Sequence, residues 1–232
     1  MTEINVIAKD LSANPRPLLL IDTCSLLDIV RAPQRNLTAT VEAGKRLKSI
    51  THEKKVMIFV QDIVSKEWED NVISAKKDGQ KGIDAFRATW EIASGFETEA
   101  NLSGEAPSLD TLIDNLVNLS KDLLDLAVKL GRDKDGMSWA IDRVAEKRKP
   151  STKGAVKDSY ILGHAIQLCR LLSSAYPKSR VFISSNTDDF AEPRSTRFHR
   201  EIAEEAKNVG LQYAVSLEAS LDILKEQDEI PS

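Results

Sequence analysis

The segment PRPLLLID (15–22) joins a short apolar run to a carboxylate, and this part of the chain decides the fold. A continuous apolar run of this length beside prolines is typical of a strand that is buried on both faces. KVMIFV (55–60) repeats the pattern, with helical spacing on either side of it, at about 37–51 and from 61 until Gly79. Because strands and helices alternate, we predict an α/β fold in which helices cover both faces of a parallel β-sheet.

The same alternation returns in the C-terminal part of the chain. A helical pattern at about 155–174 precedes the apolar run RVFIS (180–184). A second run, LQYAV (211–215), precedes the helical stretch SLEASLDILKEQ (216–227). Both runs have the length of buried strands, so we predict two further strands here.

The middle of the chain, at about 79–150, has a different pattern. Apolar residues recur there at helical spacing as far as a stop signal at Gly131, and a second helical stretch, SWAIDRVAEKR (138–148), follows. The apolar positions of the first helix are Leu109, Leu112, Ile113, Leu116, Leu119, Leu123, Leu126 and Leu130. We therefore predict one domain over residues 1–232 with a helical insertion at about 79–150.

Composition limits the classes of protein that the chain can belong to. It has 232 residues, 41% hydrophobic and 29% charged, which suits one globular domain. The formal net charge of -4 excludes a generally basic nucleic-acid coat, so any contact with nucleic acid must be local. No leader-like or membrane-length apolar run is present, and Cys24 and Cys169 have no metal-site spacing. We expect a soluble, cytoplasmic protein without a membrane partner.

Acidic residues occur at matching places in successive strand–helix units. Asp22 ends the first strand, and Asp189 follows RVFIS by five residues. In parallel sheets, ligands bind beyond the carboxyl ends of the strands. Helical spacing places Glu67 and Asp158 on the apolar sides of their helices, where an unpaired carboxylate is costly. Four converging carboxylates predict a site for hard divalent cations, Mg²⁺ or Mn²⁺.

Four stretches of the chain resemble the motifs of PIN-domain ribonucleases. They are LLLIDTCSLL (18–27), VQDIVSKEW (60–68), VKDSYILGHAI (156–166) and FISSNTDDF (182–190). The resemblance implies a PIN-like fold and makes Asp22, Glu67, Asp158 and Asp189 the metal-binding and catalytic residues. It also implies supporting roles for a small hydroxyl at Thr23 or Ser25 and for Ser184 and Asn186. The adjacent Asp188 leaves open which carboxylate is the fourth.

The resemblance implies a function as well as a fold. It predicts a Mg²⁺- or Mn²⁺-dependent endonuclease that hydrolyses phosphodiester bonds by a two-metal mechanism, with RNA favoured over DNA as the nucleic-acid partner. An antitoxin of a toxin–antitoxin module, a defence-system protein and a second copy of this chain are further partners that the family allows. The alternative is a PIN-like binding or scaffold module without turnover. Haloacid-dehalogenase-like phosphatases and metal-dependent adhesion sites do not fit, because Cys24 stands where each needs another residue.

A basic segment, RVAEKRKPSTKGAVK (143–157), leads into Asp158. Its cations can contact a phosphate backbone, and an ordinary solvated surface is the alternative. The residues assigned to nucleic-acid binding are Lys147, Arg148, Lys149, Lys153 and Lys157. Two other residues receive no catalytic assignment: His164 is expected in a surface or supporting position, and Cys24 is expected to serve packing.

Overall fold

A five-stranded parallel sheet lies at the centre of the protein, in a computed structural model that describes residues 3–95, 108–152, 156–172 and 175–231. The strand order is β3-β2-β1-β4-β5, and every pairing is parallel. The strands are β1 (Leu18–Ile21), β2 (Met57–Gln61), β3 (Val128–Leu130), β4 (Arg180–Ile183) and β5 (Leu211–Ala214). All residues of β1 and β4 are buried, and since successive side chains point to opposite faces, both faces of the sheet are covered.

Ten helices surround the sheet in the described part of the chain. They are α1 (Ile4–Ala13), α2 (Thr23–Arg35), α3 (Thr38–His52), α4 (Asp62–Gly95), α5 (Leu112–Leu126), α6 (Lys134–Ala145), α7 (Val156–Leu171), α8 (Thr187–Phe190), α9 (Arg200–Asn208) and α10 (Leu217–Glu226). The predicted α/β class, four predicted strands and the helices now named α3, α7 and α10 are confirmed. Helices α1, α2 and α9 were not predicted. None of the described helices is long and apolar enough to span a membrane.

The predicted end of a helix at Gly79 is wrong, because α4 continues through this residue to Gly95. The glycine serves close packing between helices. A Cβ atom at Gly79 would lie 2.5 Å from the backbone oxygen of Val30, and one at Gly82 would lie 2.3 Å from the backbone of Pro33. Both contacts are shorter than van der Waals packing allows, so α4 needs glycine where it crosses α2.

The region predicted as a helical insertion also supplies a strand. Helix α5 ends at Leu126, Ala127 is extended, and β3 then pairs with β2 through Val128, Lys129 and Leu130. The predicted helix as far as Leu130 is therefore wrong in its last turn. The region contains helices α5 and α6 and also forms one edge of the sheet, so it is not helical throughout.

Helices α6 and α7 pack closely through Gly136 and Gly163 and enclose His164. A Cβ atom at Gly163 would lie 2.6 Å from the Gly136 oxygen. The His164 side chain is fully buried; its Nε2 accepts the Asp133 N–H at 2.9 Å, and its Nδ1 lies 2.8 Å from the Tyr160 oxygen. Burial lowers the pKa of His164, so the neutral ring joins the start of α6 to α7. The expected surface position is wrong, whereas a supporting structural role agrees with these contacts.

Candidate functional site

The candidate site lies where the order of strands reverses. The chain proceeds from β1 to β2 and β3 on one side, and later returns to place β4 and β5 on the other side of β1. Ligand-binding crevices of open parallel sheets form at such a point, beyond the carboxyl ends of the strands. Asp22 follows β1 and Ser184 follows β4, so these two residues meet at this edge.

Asp22 is buried at the N-terminus of α2, with only 4% of its surface exposed. Its Oδ1 accepts the Thr23 N–H at 2.7 Å. Its Oδ2 accepts a hydrogen bond from the Ser184 hydroxyl at 2.7 Å and one from the Cys24 thiol at 3.0 Å. Burial nevertheless raises the pKa of Asp22 more than these bonds lower it. The carboxylate is held in a fixed orientation, and its charge calls for a cation.

Glu67 reaches the same edge from α4. The Thr23 hydroxyl donates to its Oε2 at 2.8 Å, which links Glu67 to the residue beside Asp22. The Lys157 ammonium lies 2.8 Å from the other oxygen, Oε1. Trp68 is buried, whereas Glu69 and Asp70 are exposed, so Glu67 is the inward-facing acid of this turn, as predicted.

Asp158, in the first turn of α7, connects the acids electrostatically. Its pKa is raised to about 7, first by burial and then by the charges of Asp22, Asp189 and Glu67. Burial is the largest cause, and the smaller effect of the three charges indicates that these acids lie near Asp158. The four predicted carboxylates, called the carboxylate cluster below, therefore lie around one edge of the sheet, although within the described residues they are not close enough together to hold an ion as they stand.

Of the two candidates for the fourth carboxylate, Asp189 faces the cluster and Asp188 does not. The Asn186 amide donates to Asp189 Oδ2 at 3.0 Å, and the Lys149 ammonium lies 3.6 Å from Asp189 Oδ1. Asp188 is exposed, and its backbone carbonyl accepts a hydrogen bond from Lys149. Asp189 also raises the pKa of Asp158. These contacts place Asp189, and not the Asp188 side chain, beside the other acids.

The supporting residues differ in their contacts. The Thr23 hydroxyl donates to Glu67, and the Ser184 hydroxyl donates to Asp22. The Ser184 hydroxyl oxygen also accepts a hydrogen bond from the Asn186 N–H at 3.2 Å. Ser25 is buried, and its hydroxyl has no hydrogen-bond partner within the described residues. Between the two hydroxyls that the motif allowed, Thr23 is the one with a contact to an acid of the cluster.

Cys24 is a neutral thiol. Burial and the neighbouring Asp22 charge raise its pKa well above its ordinary value. A nucleophilic thiolate would need the opposite shift. Cys24 was predicted to serve packing alone, but its thiol also donates to Asp22 and lies 3.3 Å from the Ser184 hydroxyl.

The donor types of the cluster fit a hard divalent cation, although their present spacing does not yet form a coordination shell. Carboxylate, hydroxyl and amide oxygens suit Mg²⁺ or Mn²⁺ better than softer metals. With the side chains as they stand, no three His, Cys, Asp or Glu residues of the described ranges are grouped closely enough to hold an ion. Glu67 and Asp189 instead face Lys157 and Lys149, each through one carboxylate oxygen.

Comparison of the chain with protein-family models, curated proteins and solved structures gives no match. The resemblance to PIN-domain ribonucleases therefore depends on the four motifs alone.

The basic segment is less free for nucleic acid than its sequence suggested. Arg143 is buried, and Arg148 lies 3.2 Å from Glu146 and 3.8 Å from Glu205. Lys147 is exposed, and Lys153 lies outside the described residues. Lys149 and Lys157 pair with acids of the cluster. Sequence reasoning missed this role as counter-charges, because nothing in the spacing shows which acids the lysines meet.

Replacing Lys157 with Met should tighten Mn²⁺ binding in the absence of nucleic acid by about fivefold. The variant removes a unit positive charge beside Glu67, and such a charge in a half-exposed site changes a binding free energy by about 1 kcal/mol. Calorimetric titration with Mn²⁺ measures the change, with the exposed Lys45 on α3 changed to Met as the control. Unchanged affinity for Lys157→Met would mean that Glu67 does not contact the ion.

Proposed function

We propose that the protein is a metal-dependent endonuclease that hydrolyses phosphodiester bonds, with RNA as the favoured substrate. The observation that carries this proposal is the cluster of Asp22, Glu67, Asp158 and Asp189 at the point where the strand order reverses. The raised pKa of Asp158 supports the proposal, because its causes are burial first and then the charges of Asp22, Asp189 and Glu67. Several carboxylates in such a partly buried place favour the binding of a hard divalent cation, which offsets their mutual repulsion.

The chain's own residues would act by holding and orienting the ligands. Asp22, Glu67, Asp158 and Asp189 would bind Mg²⁺ or Mn²⁺, and the ions would supply an activated water and stabilise the leaving oxygen. Ser184 and the Thr23 N–H fix the Asp22 carboxylate, while the Thr23 hydroxyl and the Asn186 amide orient Glu67 and Asp189. Because each oxygen has more than one lone pair, these bonds leave room for an ion.

Lys149 and Lys157 are suited to a second role once the acids bind metal. Each is then free of its carboxylate partner and lies beside the place where a phosphate would approach. A lysine beside the metal site can hold a non-bridging phosphate oxygen as a point charge. This would position the scissile bond without a protein nucleophile.

The test is cleavage of single-stranded RNA and DNA with Mg²⁺, with Mn²⁺ and with EDTA. We expect metal-dependent products that carry a 5′-phosphate and a 3′-hydroxyl, as attack by water at phosphorus implies. Asp22→Asn, purified in parallel, controls for contaminating nucleases. Products with a 2′,3′-cyclic phosphate would contradict the mechanism, because they arise from attack by the RNA's own 2′-hydroxyl.

Absence of cleavage under all these conditions would favour the alternative, a binding or scaffold module. Within the described residues the acids form no coordination shell as they stand, and this observation favours the alternative. Binding of RNA without turnover would support it.

A further inference from the structure

A cleft of about 430 Å³ lies beside the carboxylate cluster, between the first turns of α4, α6 and α7. Its volume is in the range of ~300–1,000 Å³ that small-molecule sites occupy. Lys157 belongs to both places: it lines the cleft, and its ammonium lies 2.8 Å from Glu67. One side chain therefore separates the cleft from the proposed metal ligands.

The cleft combines apolar walls with positive charge. Ile63, Met137 and Val156 supply apolar surface, and Val156 is 47% exposed although it is a large aliphatic residue at the start of a helix. The cations that line the cleft are Lys66, Arg132 and Lys157, against one acid, Asp62. Apolar surface beside an excess of cations suits a ligand that has a flat apolar part and an anionic part.

The polar groups on one side of the cleft are fixed. The Tyr160 hydroxyl donates to Asp62 Oδ1 at 3.1 Å, and Arg132 Nε lies 3.6 Å from Asp62 Oδ2. The Arg132 side chain is 79% exposed, so its guanidinium remains accessible to a second anion. Asp62 therefore orients Tyr160 and Arg132, and Lys157 pairs with Glu67. Lys66 and the exposed side of the Arg132 guanidinium remain to balance an incoming negative charge.

Neighbouring residues on two helices serve the two sites. Lys66 lines the cleft while the next residue, Glu67, faces the cluster; Lys157 lines the cleft while Asp158 faces the cluster. The cleft and the cluster are therefore adjacent along the first turns of both helices.

We propose that this cleft binds one nucleotide of a single-stranded nucleic acid, next to the bond that is cleaved. The base lies against Ile63, Met137 and Val156, and the phosphate contacts Lys66 and Arg132. The inference rests on the proposed nuclease function for its ligand, and it adds a base-binding subsite outside the metal site. A base in such a subsite gains apolar contact with these three side chains, independent of sequence-specific hydrogen bonds.

The test uses the full chain in EDTA, so that binding is measured without turnover. The probe is a short fluorescein-labelled RNA of mixed sequence, and polarization gives its dissociation constant at several salt concentrations. Changing both Lys66 and Arg132 to Ala should weaken binding and reduce the slope of log affinity against log salt by about 0.7, the value for one lost phosphate contact on a single strand. Changing both Lys9 and Lys45 to Ala removes the same charge from α1 and α3 and should leave the slope unchanged.

A second variant separates the base from the phosphate. Met137→Gln with Val156→Thr keeps side-chain size but makes the wall polar, so the loss of apolar contact with the base should lower affinity about fivefold with no change in the salt slope. In competition with the labelled RNA, uridine and adenosine monophosphate should displace it at lower concentration than inorganic phosphate does.

Two results would overturn the inference: full affinity and full salt slope in the Lys66/Arg132 variant, or equal competition by inorganic phosphate and the nucleotides. The failure of the proposed function is distinguishable from either. A wild-type protein that binds RNA through the cleft but cleaves nothing with Mn²⁺ retains the subsite and loses the nuclease proposal. If the wild type cleaves RNA and the cleft variants bind RNA normally, the nuclease proposal stands and the subsite proposal fails.

Discussion

Asp158→Asn should stabilise the metal-free protein and abolish cleavage in one substitution. The variant keeps the shape of the side chain and removes one charge from a place where burial, and then the charges of Asp22, Asp189 and Glu67, raise the Asp158 pKa to about 7. At pH 8 we expect the free energy of unfolding to rise by about 1–2 kcal/mol. Each pKa unit represents ~1.4 kcal/mol, and solvent screening of the partly exposed carboxylate reduces the total. For a chain of this size each kcal/mol corresponds to about 2–4 °C in melting temperature. Cleavage should fall about a hundredfold or more.

The stabilisation by Asp158→Asn should depend on pH in a defined direction. Because the folded pKa of Asp158 lies above the unfolded value, the folded protein binds more protons than the unfolded one between about pH 4 and 7. Its contribution to stability is therefore lost as pH rises through that window. The difference in melting temperature between variant and wild type should be small at pH 5 and largest at pH 8.

The metal response supplies the second measurement for this variant. Saturating Mn²⁺ should stabilise the wild type by mass action, about 2.7 kcal/mol at a hundredfold excess over the dissociation constant, and should stabilise Asp158→Asn less. Asp70→Asn, an exposed acid on the helix that carries Glu67, is the matched control and should change neither property. A destabilised Asp158→Asn protein with an intact metal shift would identify Asp158 as a structural anchor.

Arg143→Met should lower the free energy of unfolding by about 3–5 kcal/mol, the cost of removing one partner from a buried charged network. Arg143 is 2% exposed, and its Nη1 donates to the backbone oxygens of Lys149 and Glu201 at 2.8 and 2.7 Å. Its guanidinium also pairs with Glu205 and lies 4.5 Å from the centre of the Trp139 ring. Met fills a similar volume but satisfies none of these acceptors.

Urea denaturation at neutral pH measures the loss, and Arg148→Met is the control. Arg148 lies 3.8 Å from the same Glu205 carboxylate, but its side chain is 43% exposed, so its loss should cost about 0–1 kcal/mol. Equal effects of the two substitutions would contradict the structural role given to Arg143. Because Arg143 holds the Lys149 backbone, its loss should also free Lys149 from Asp189 and tighten Mn²⁺ binding.

The strands with continuous apolar runs could be predicted from sequence, and the elements that depend on distant contacts could not. PRPLLLID and RVFIS are recognisable because a strand buried on both faces needs little polar surface. In contrast, Val128–Leu130 continues the helical spacing of α5, and only pairing with β2 makes it a strand. Gly79 is an ordinary stop signal until the backbone of Val30 is seen against it.

The acids of the candidate site were also predictable, whereas their partners were not. Asp22 and Asp189 were found because they follow predicted strands, and Glu67 and Asp158 because helical spacing places them on apolar helix faces. Strands and helix faces can both be recognised from local periodicity in the sequence. Lys149 and Lys157 looked like part of one basic segment, yet they meet different acids because Asp189 and Glu67 come from different elements. The cleft between α4, α6 and α7 is a property of helix packing, and no local pattern encodes it.

The hydrogen bond between Ser184 and Asp22 joins residues 162 positions apart, and this separation has a consequence for biosynthesis. At typical ribosomal speeds of ~5–20 residues per second, β1 emerges on the order of 10–30 s before β4 can pair with it. During that interval the apolar strand LLLI has an open edge, which is the kind of surface that chaperones bind and that aggregates recruit. The carboxylate cluster cannot assemble before this pairing, so an unfinished nascent chain lacks the site that the finished protein carries.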